Sequence, residues 1–428
     1  MNPLPQHIGK YLVLHKLGAG ASSEVYLCHD PFNARDVAVK VALAQPGADA
    51  ERARLQRKQF VTEASLAGKL QHPHICQIFD AASDEHASYL VMEYVDGGTL
   101  EKHCRPDALL SVERVLEIAF KCARALEYAQ RLGVTHRDIK PANILLSRQT
   151  GVKITDFGAA LLASESAQLM GIGSPAYMSP EQLKERPLDH QTDIYSLGVV
   201  MYHLLTGRLP FHADSDFSLI YQITNVEPEP PSAYRPEIPA AVAAIVRRAM
   251  AKERSARYRE WGEFSRELTE FYRGPRAAAP AQEFADSEKF ETLRRLPFFR
   301  RFSDAELWEV ARLSTWRRAA AGELLMKEGE PGDFFCILAE GQVKVTRKGK
   351  LLNLLRAGQC FGEMAYLSTS REPLRGADVA VVSDSSIISL PTAQLAQASD
   401  ACRHHFDSAF LEILVERLTM ANLRLSGV

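Results

Sequence analysis

Apolar and polar residues alternate through much of the first hundred positions, in YLVLHKLG (11–18), SSEVYLCHD (22–30), DVAVKVAL (36–43) and SYLVMEYV (88–95). A period of two is that of strands with one buried face. QRKQFVTEASLAGKL (56–70) interrupts this pattern and reads as a helix. Helical spacing then takes over, most clearly in SVERVLEIAFKCARALEYAQRL (111–132), where Ser111 is placed to act as N-cap. Beyond about residue 290, short runs punctuated by Gly322, Gly329, Gly332, Gly341, Gly349 and Gly358 predict a β-roll or jelly-roll. Near the end, Phe406, Phe410, Leu414, Leu418, Ala421 and Leu425 recur at helical spacing. Such a stripe serves core packing or, alternatively, a dimer seam.

The clearest break is YRGPRAAAPAQEFADSE (272–288), with Gly274, Pro275, Pro280 and a run of alanines, which reads as an exposed linker. EPEPPSAYRPEIP (227–239) looks similar but lies between two amphipathic segments, so an ordered inter-helix loop is expected there. The expectation is an α+β chain: a strand-rich lobe and a helical lobe over 8–272, a linker over 273–288, and a β-roll with a terminal helix over 289–428. No fixed-period repeat suggests a solenoid.

Bulk properties narrow the function classes. The 428 residues are 46% hydrophobic and 24% charged, the balance of a globular protein. A net charge of −2 gives no broad basic field for nucleic acid or an anionic membrane surface. Seven cysteines are scattered without a CxxC or Cys/His cluster, which fits reduced thiols rather than a disulfide framework or zinc site. MNPLPQHIGKYL lacks the pattern of a signal peptide, and no apolar run reaches roughly 18 residues. A cytoplasmic protein is expected.

The chemistry concentrates in four segments. LGAGASSEVYL (17–27) sets Gly18 and Gly20 between two strands, where bare backbone can approach phosphates, although Ser23 stands where a third glycine would complete GxGxxG. VAVK places Lys40 among apolar neighbours, an expensive position for an unpaired ammonium. Glu63, in the helical segment, is a candidate partner. THRDIKPANILL (135–146) and KITDFGAA (153–160) bring Asp138, Lys140, Asn143 and Asp156 close in sequence. Oxygen ligands of this kind suit Mg²⁺, and a carboxylate beside a hydroxyl can accept its proton.

With these motifs in this order, residues 8–272 resemble a Ser/Thr protein kinase of the bacterial type. The resemblance implies a bilobal fold, ATP and Mg²⁺ as cofactors, and a protein substrate with a Ser or Thr acceptor. It assigns Gly18, Gly20 and Ser23 to the phosphate lid, Lys40 to the phosphates with Glu63 as its partner, and Asp138 to catalysis. Lys140 would steady the transferring group, and Asn143 and Asp156 would hold the metal. Val25, Ala38 and Leu145 would enclose the adenine, with Met92 as gatekeeper and Glu93 to Val95 as hinge. Glu181 of SPE (179–181) is expected to pair with Arg257, and Asp193 to brace the catalytic loop. Arg137 implies a phosphorylated activation loop, with Ser164 or Ser166 as the site and Ser174 as a substrate-positioning hydroxyl. RRFS (300–303) looks like a basophilic phosphorylation site, but SDAE (303–306) forms a capping box, which is the preferred reading.

The segment 320–367 resembles the cyclic-nucleotide-binding β-roll, a match spanning about 290–425. The resemblance implies a pocket in which Glu363 accepts from a ribose hydroxyl. Arg375, with Gly362, Gly376 and Ala377, would hold the cyclic phosphate of cAMP or cGMP. The offset from Glu363 to Arg375 is 12 residues (375 − 363), longer than is usual in the family. Loop length itself costs little entropy. Asp378 stands where the family carries a small residue, and its carboxylate would repel a phosphate unless it pointed at the base. The expected function is a protein kinase regulated by a cyclic nucleotide. The rival is a sensing or scaffolding protein with a slow or inactive kinase half.

Overall fold

A computed structural model of the chain describes residues 4–20, 23–43, 68–83, 88–148, 150–157, 175–273, 284–368 and 374–425. It divides into two compact units, Met1–Gly274 and Pro275–Val428.

The first unit opens with β1 (His7–Ile8), β2 (Tyr11–Ala19), β3 (Ser23–Asp30), β4 (Arg35–Ala42), β5 (Ile78–Ser83) and β6 (Ser88–Glu93). They form an antiparallel sheet in the order β1-β2-β3-β4-β6-β5. The period of two sorts its side chains. Val37 and Val39 pack with Ile8, Tyr11, Tyr26, Cys28 and Val91. Ala38 points to the opposite face and packs with Cys76, Leu90 and Met92, flanked by Val25 and Val95. β5 was not evident in the alternation, because polar Asp80 and small alanines interrupt it. The segment 56–70 lies outside the described residues up to 67, and Glu63 with it.

A helical lobe follows. α1 (Val112–Arg131) is capped by Ser111, whose side chain accepts the Arg114 N–H at 3.2 Å. The hairpin β7 (Ile144–Ser147) and β8 (Gly151–Ile154) comes next, then the short α2 (Pro180–Leu183). α3 (His190–Thr206) is buried along almost its whole length, a core helix rather than an amphipathic one. Gly207 ends it at φ 68, and a Cβ there would come within 2.5 Å of the Pro106 nitrogen, so conformation and packing both require glycine. α4 (Asp216–Asn225), α5 (Ala240–Ala249) and α6 (Trp261–Arg273) complete the lobe. The proline-rich stretch 227–239 is the loop between α4 and α5, with one 3₁₀ turn at Pro231–Ala233.

In the second unit, α7 (Asp286–Arg295) begins inside the stretch 273–288, so Asp286–Glu288 are helical. α8 (Asp304–Leu313) starts at Ser303 with both bonds of the capping box, as SDAE predicts. Arg300 and Arg301 both pair with Glu412 at 2.7 Å, which accounts for the basic half of RRFS. The roll comprises β9 (Thr315–Ala319), β10 (Leu324–Met326), β11 (Phe334–Arg347), β12 (Lys350–Arg356), β13 (Cys360–Phe361) and β14 (Asp378–Pro391). Its sheet order is β10-β14-β11-β12, with β13 on β11 and β9 on β14. Short helices α9 (Met364–Leu367) and α10 (Thr392–Leu395) precede the terminal α11 (Asp400–Leu425).

The terminal stripe divides in two. Phe406 and Phe410 are buried against Phe298, Phe302 and Phe335. Leu418, by contrast, is 64% exposed, on a line with Leu411 and Val415. All seven cysteines are free thiols, six buried and Cys104 half-buried. Among the described residues, no helix is long and apolar enough to cross a membrane.

Candidate active site and ligand pocket

The loop between α1 and β7 carries a polar network. Lys140 Nζ donates to Asp138 Oδ2 at 2.7 Å, and Asn143 Nδ2 donates to the same oxygen at 3.0 Å and to the Asp138 carbonyl at 2.8 Å. Asn143 is buried and spends its amide hydrogens on Asp138, which leaves its Oδ1 as the hard acceptor. Lys40 reaches across from β4 to Asp156 Oδ1 at 2.8 Å. Five of the expected residues (Lys40, Asp138, Lys140, Asn143 and Asp156) are thus joined in two hydrogen-bonded groups.

Two of the positions that shape this site hold unusual backbone. Arg137 and Asp156 both lie at φ 67, the left-handed region that non-glycine residues avoid. Such geometry persists only where the surroundings over-determine it. Asp193 Oδ2 accepts the His136 N–H at 2.8 Å and its Oδ1 accepts the Arg137 N–H at 2.7 Å. Gln182 Nε2 donates to the Arg137 carbonyl at 2.8 Å. Burial holds the Asp193 carboxyl above the usual carboxylate range, opposed by His136 and these N–H donors. His136 links the two segments: its Nε2 lies 3.0 Å from the Thr155 carbonyl, and its ring packs 4.5 Å from that of buried Phe157.

The sheet contributes an apolar face and a turn. Val25, Ala38, Met92 and Val95 belong to one apolar cluster. Leu145 is half-buried in β7, opposite Lys153. Glu93 turns its side chain to Lys153, at 2.9 Å, and its N–H donates to the Gln77 carbonyl at 2.8 Å. Gly20 N donates to the Ser23 carbonyl at 2.7 Å, closing the turn tightly. Around Gly18 no atom lies within 4 Å of where a Cβ would stand. Among the described residues nothing demands glycine there, and the open space would admit a phosphate. Open space at the turn, an oxygen donor pair in Asn143 and Asp156, and an apolar sheet face fit a nucleoside triphosphate with Mg²⁺.

The expected structural bridge is present. Arg257 donates to Glu181 Oε1 at 2.6 Å and Oε2 at 2.8 Å, with both side chains buried, and Thr192 adds a bond at 3.0 Å. Burial pushes the Glu181 carboxyl up, but the Arg257 guanidinium prevails and holds it below the usual range. Ser164, Ser166 and Ser174 lie outside the described residues.

In the second unit, Arg375 is 7% exposed, and its guanidinium lies over the Phe334 ring at 4.5 Å. Its Nη1 donates to the Gly362 carbonyl at 3.2 Å, while its Nη2 is buried with no partner among the described residues. Burial lowers the pKa of this guanidinium. A Cβ on Gly332 or Gly362 would come within 2.8 Å of it. Around Gly376 the space is open. A buried cation with an unspent donor beside open backbone suits an anionic ligand. Asp378 accepts the Glu328 N–H at 2.7 Å. Glu363 is buried and takes a bond from Arg417 of α11.

Residues 11–267, more than half of the chain, match the family model of the protein kinase domain. The chain belongs to the protein kinase family. Residues 316–401 match the cyclic nucleotide-binding domain. A probable serine/threonine-protein kinase of Streptomyces coelicolor is 40% identical over 259 residues, covering 58% of this chain and 38% of its own. The serine/threonine-protein kinase PknB of Mycolicibacterium smegmatis is 36% identical over 303 residues, covering 68% and 48%. PknB of Mycobacterium leprae is 37% identical over 285 residues, covering 64% and 45%. The chain therefore spans less than half the length of these curated relatives.

Several contacts escaped the sequence. Gln182 as a brace for Arg137 had a local signal, the capping box that Ser179 and Gln182 form at the start of α2. The Lys153–Glu93 pair had none. Arg417 had only its position late in an amphipathic segment.

Proposed function

We propose that the kinase unit transfers the γ-phosphoryl group of ATP to serine or threonine hydroxyls of a protein substrate, and that the C-terminal unit binds a cyclic nucleotide, cAMP or cGMP, which regulates it. The observation that carries the first part is Asp138 held by Lys140 and Asn143 on a loop fixed by Asp193. In this reading Asp138 orients the acceptor hydroxyl and takes its proton. The bond from the γ-phosphorus to the bridging oxygen breaks to leave ADP, and a bond to the hydroxyl oxygen forms. Lys140 stabilises the transferring group and Lys40 the α- and β-phosphates. Gly18, Gly20 and Ser23 cover the phosphates, while Val25, Ala38, Met92, Val95 and Leu145 enclose the base above the Glu93 backbone. Asn143 and Asp156 would hold Mg²⁺, which neutralises phosphate charge. Autophosphorylation at Ser164 or Ser166 would complete activation through Arg137.

ATP turnover by the wild type and by Asp138→Asn tests this assignment. Turnover in the wild type alone supports it, and equal rates in both defeat it.

For the second unit, support comes from the buried Arg375 with its unpaired Nη2. Calorimetric titration with cAMP and with cGMP, repeated on Arg375→Ala, is the test. Saturable binding that the variant loses supports the reading. One observation favours a second reading, in which this unit only packs: Glu363 already has an arginine partner.

A further inference from the structure

The C-terminal pocket contains its own competitor. Glu363, the carboxylate assigned to the ribose, has a side chain only 5% exposed, and Arg417 pairs with it. Arg417 is 39% exposed, so it covers the solvent side of a buried acid. Its other amino group donates to the Cys360 carbonyl at 2.7 Å, which fixes the guanidinium over the segment that leads into the pocket. These two contacts tie the distal part of α11 to the roll. Upstream, the same helix is anchored independently by Phe406 and Phe410 in the aromatic core and by Glu412 with Arg300 and Arg301. The neighbouring line of Leu411, Val415 and Leu418 is exposed and contributes little to that anchorage.

From this geometry we infer that Arg417 and the ribose of the ligand compete for Glu363, so that binding detaches the terminal helix beyond Val415. The inference rests on the cyclic-nucleotide reading of the pocket. The physical reason is access. Arg417 holds Oε1 of the carboxylate, so a ribose hydroxyl that takes that oxygen has to move the guanidinium aside. Arg375 and its partners Gly362 and Phe334 stay in place, because their contacts do not involve α11. The ligand thus gains one partner while the helix loses one. An exchange of this kind is a coupling free energy between pocket and helix, and it acts equally in both directions.

The experiment is calorimetric titration of the full chain with cAMP and with cGMP, on the wild type, Arg417→Ala, Arg417→Gln and Arg375→Ala. Amide hydrogen exchange over residues 411–425 is followed alongside. Competition predicts binding at least about fivefold tighter in both Arg417 variants, the low end of usual coupling. It also predicts faster exchange in that segment on adding nucleotide to the wild type, and without nucleotide in the variants. Binding by the variants where the wild type shows none would support the inference as well. Unchanged or weaker binding in both Arg417 variants, with binding still lost in Arg375→Ala, would overturn the competition and leave the pocket assignment standing. Absence of binding in every protein would overturn both.

Discussion

Asp193 on α3 accepts the backbone N–H of Arg137 at 2.7 Å, and Arg137 sits at φ 67, in left-handed backbone that it would not adopt alone. The carboxylate of a buried core helix thereby sets the conformation of the loop that carries Asp138. Asp193→Asn keeps the shape but replaces one acceptor oxygen by a donor that faces an N–H. The expected cost is about 2–3 kcal/mol in stability, with ATP turnover down at least about tenfold as the loop relaxes. Thermal unfolding and steady-state turnover read the two effects. Normal turnover in a folded variant would show that other contacts hold Arg137.

The Glu181–Arg257 bridge makes a pH prediction. The folded carboxyl titrates below its ordinary value of 4.5, so its contribution is present above that pH and fades as pH falls through the folded value. Arg257→Ala should cost about 3–5 kcal/mol near neutrality, since it strands a buried charge. Replacing both partners, by Glu181→Leu with Arg257→Met, should cost much less and flatten the acid limb below about pH 4.5. Denaturant unfolding between pH 3 and 7 distinguishes these cases. An acid limb as steep in the double variant as in the wild type would remove the bridge from the explanation.

Arg375 is expected to oppose stability and serve binding. It is buried, its pKa is lowered by burial, and one of its amino groups has no partner among the described residues. Arg375→Met fills similar volume without the desolvated charge. The unfolding midpoint of the C-terminal unit should stay level or rise by the equivalent of about 1 kcal/mol, while nucleotide binding disappears. A large loss of stability would instead make Arg375 a structural residue.

Met92 closes one side of the apolar face formed with Ala38, Cys76 and Leu90, and the Thr155 hydroxyl lies 3.7 Å from its sulfur. Truncation by Met92→Ala should cost about 2–5 kcal/mol through the cavity it leaves. The same cavity should admit ATP analogues enlarged on the purine that the wild type excludes. Competition of such an analogue with ATP turnover measures it, and equal inhibition of both proteins would place the purine elsewhere.

The sequence was most informative where the chemistry is local. Asp138, Lys140 and Asn143 lie within one turn-like stretch, so their hydrogen bonds follow from spacing, as do the caps at Ser111 and Ser303. Contacts between distant segments came only from the family resemblance, as for Glu181 with Arg257, or not at all. Lys40 of β4 meets Asp156 just after β8, and Glu63, its expected partner, lies outside the described residues. The bond that Asp378 makes to the Glu328 N–H could not be read from composition, which reveals a charge but not its partner. β5 was missed because an edge strand with one polar partner needs little alternation.

The scattered cysteines offer a practical consequence. Burial pushes all seven thiols well above their ordinary range, so the reactive thiolate is scarce near neutral pH. The native chain is then a dark background for alkylating dyes, and no cysteine needs to be removed beforehand. One thiol introduced by Leu418→Cys, on the exposed side of α11, would take up label fastest. Its fluorescence would follow the terminal helix in real time as nucleotide is added.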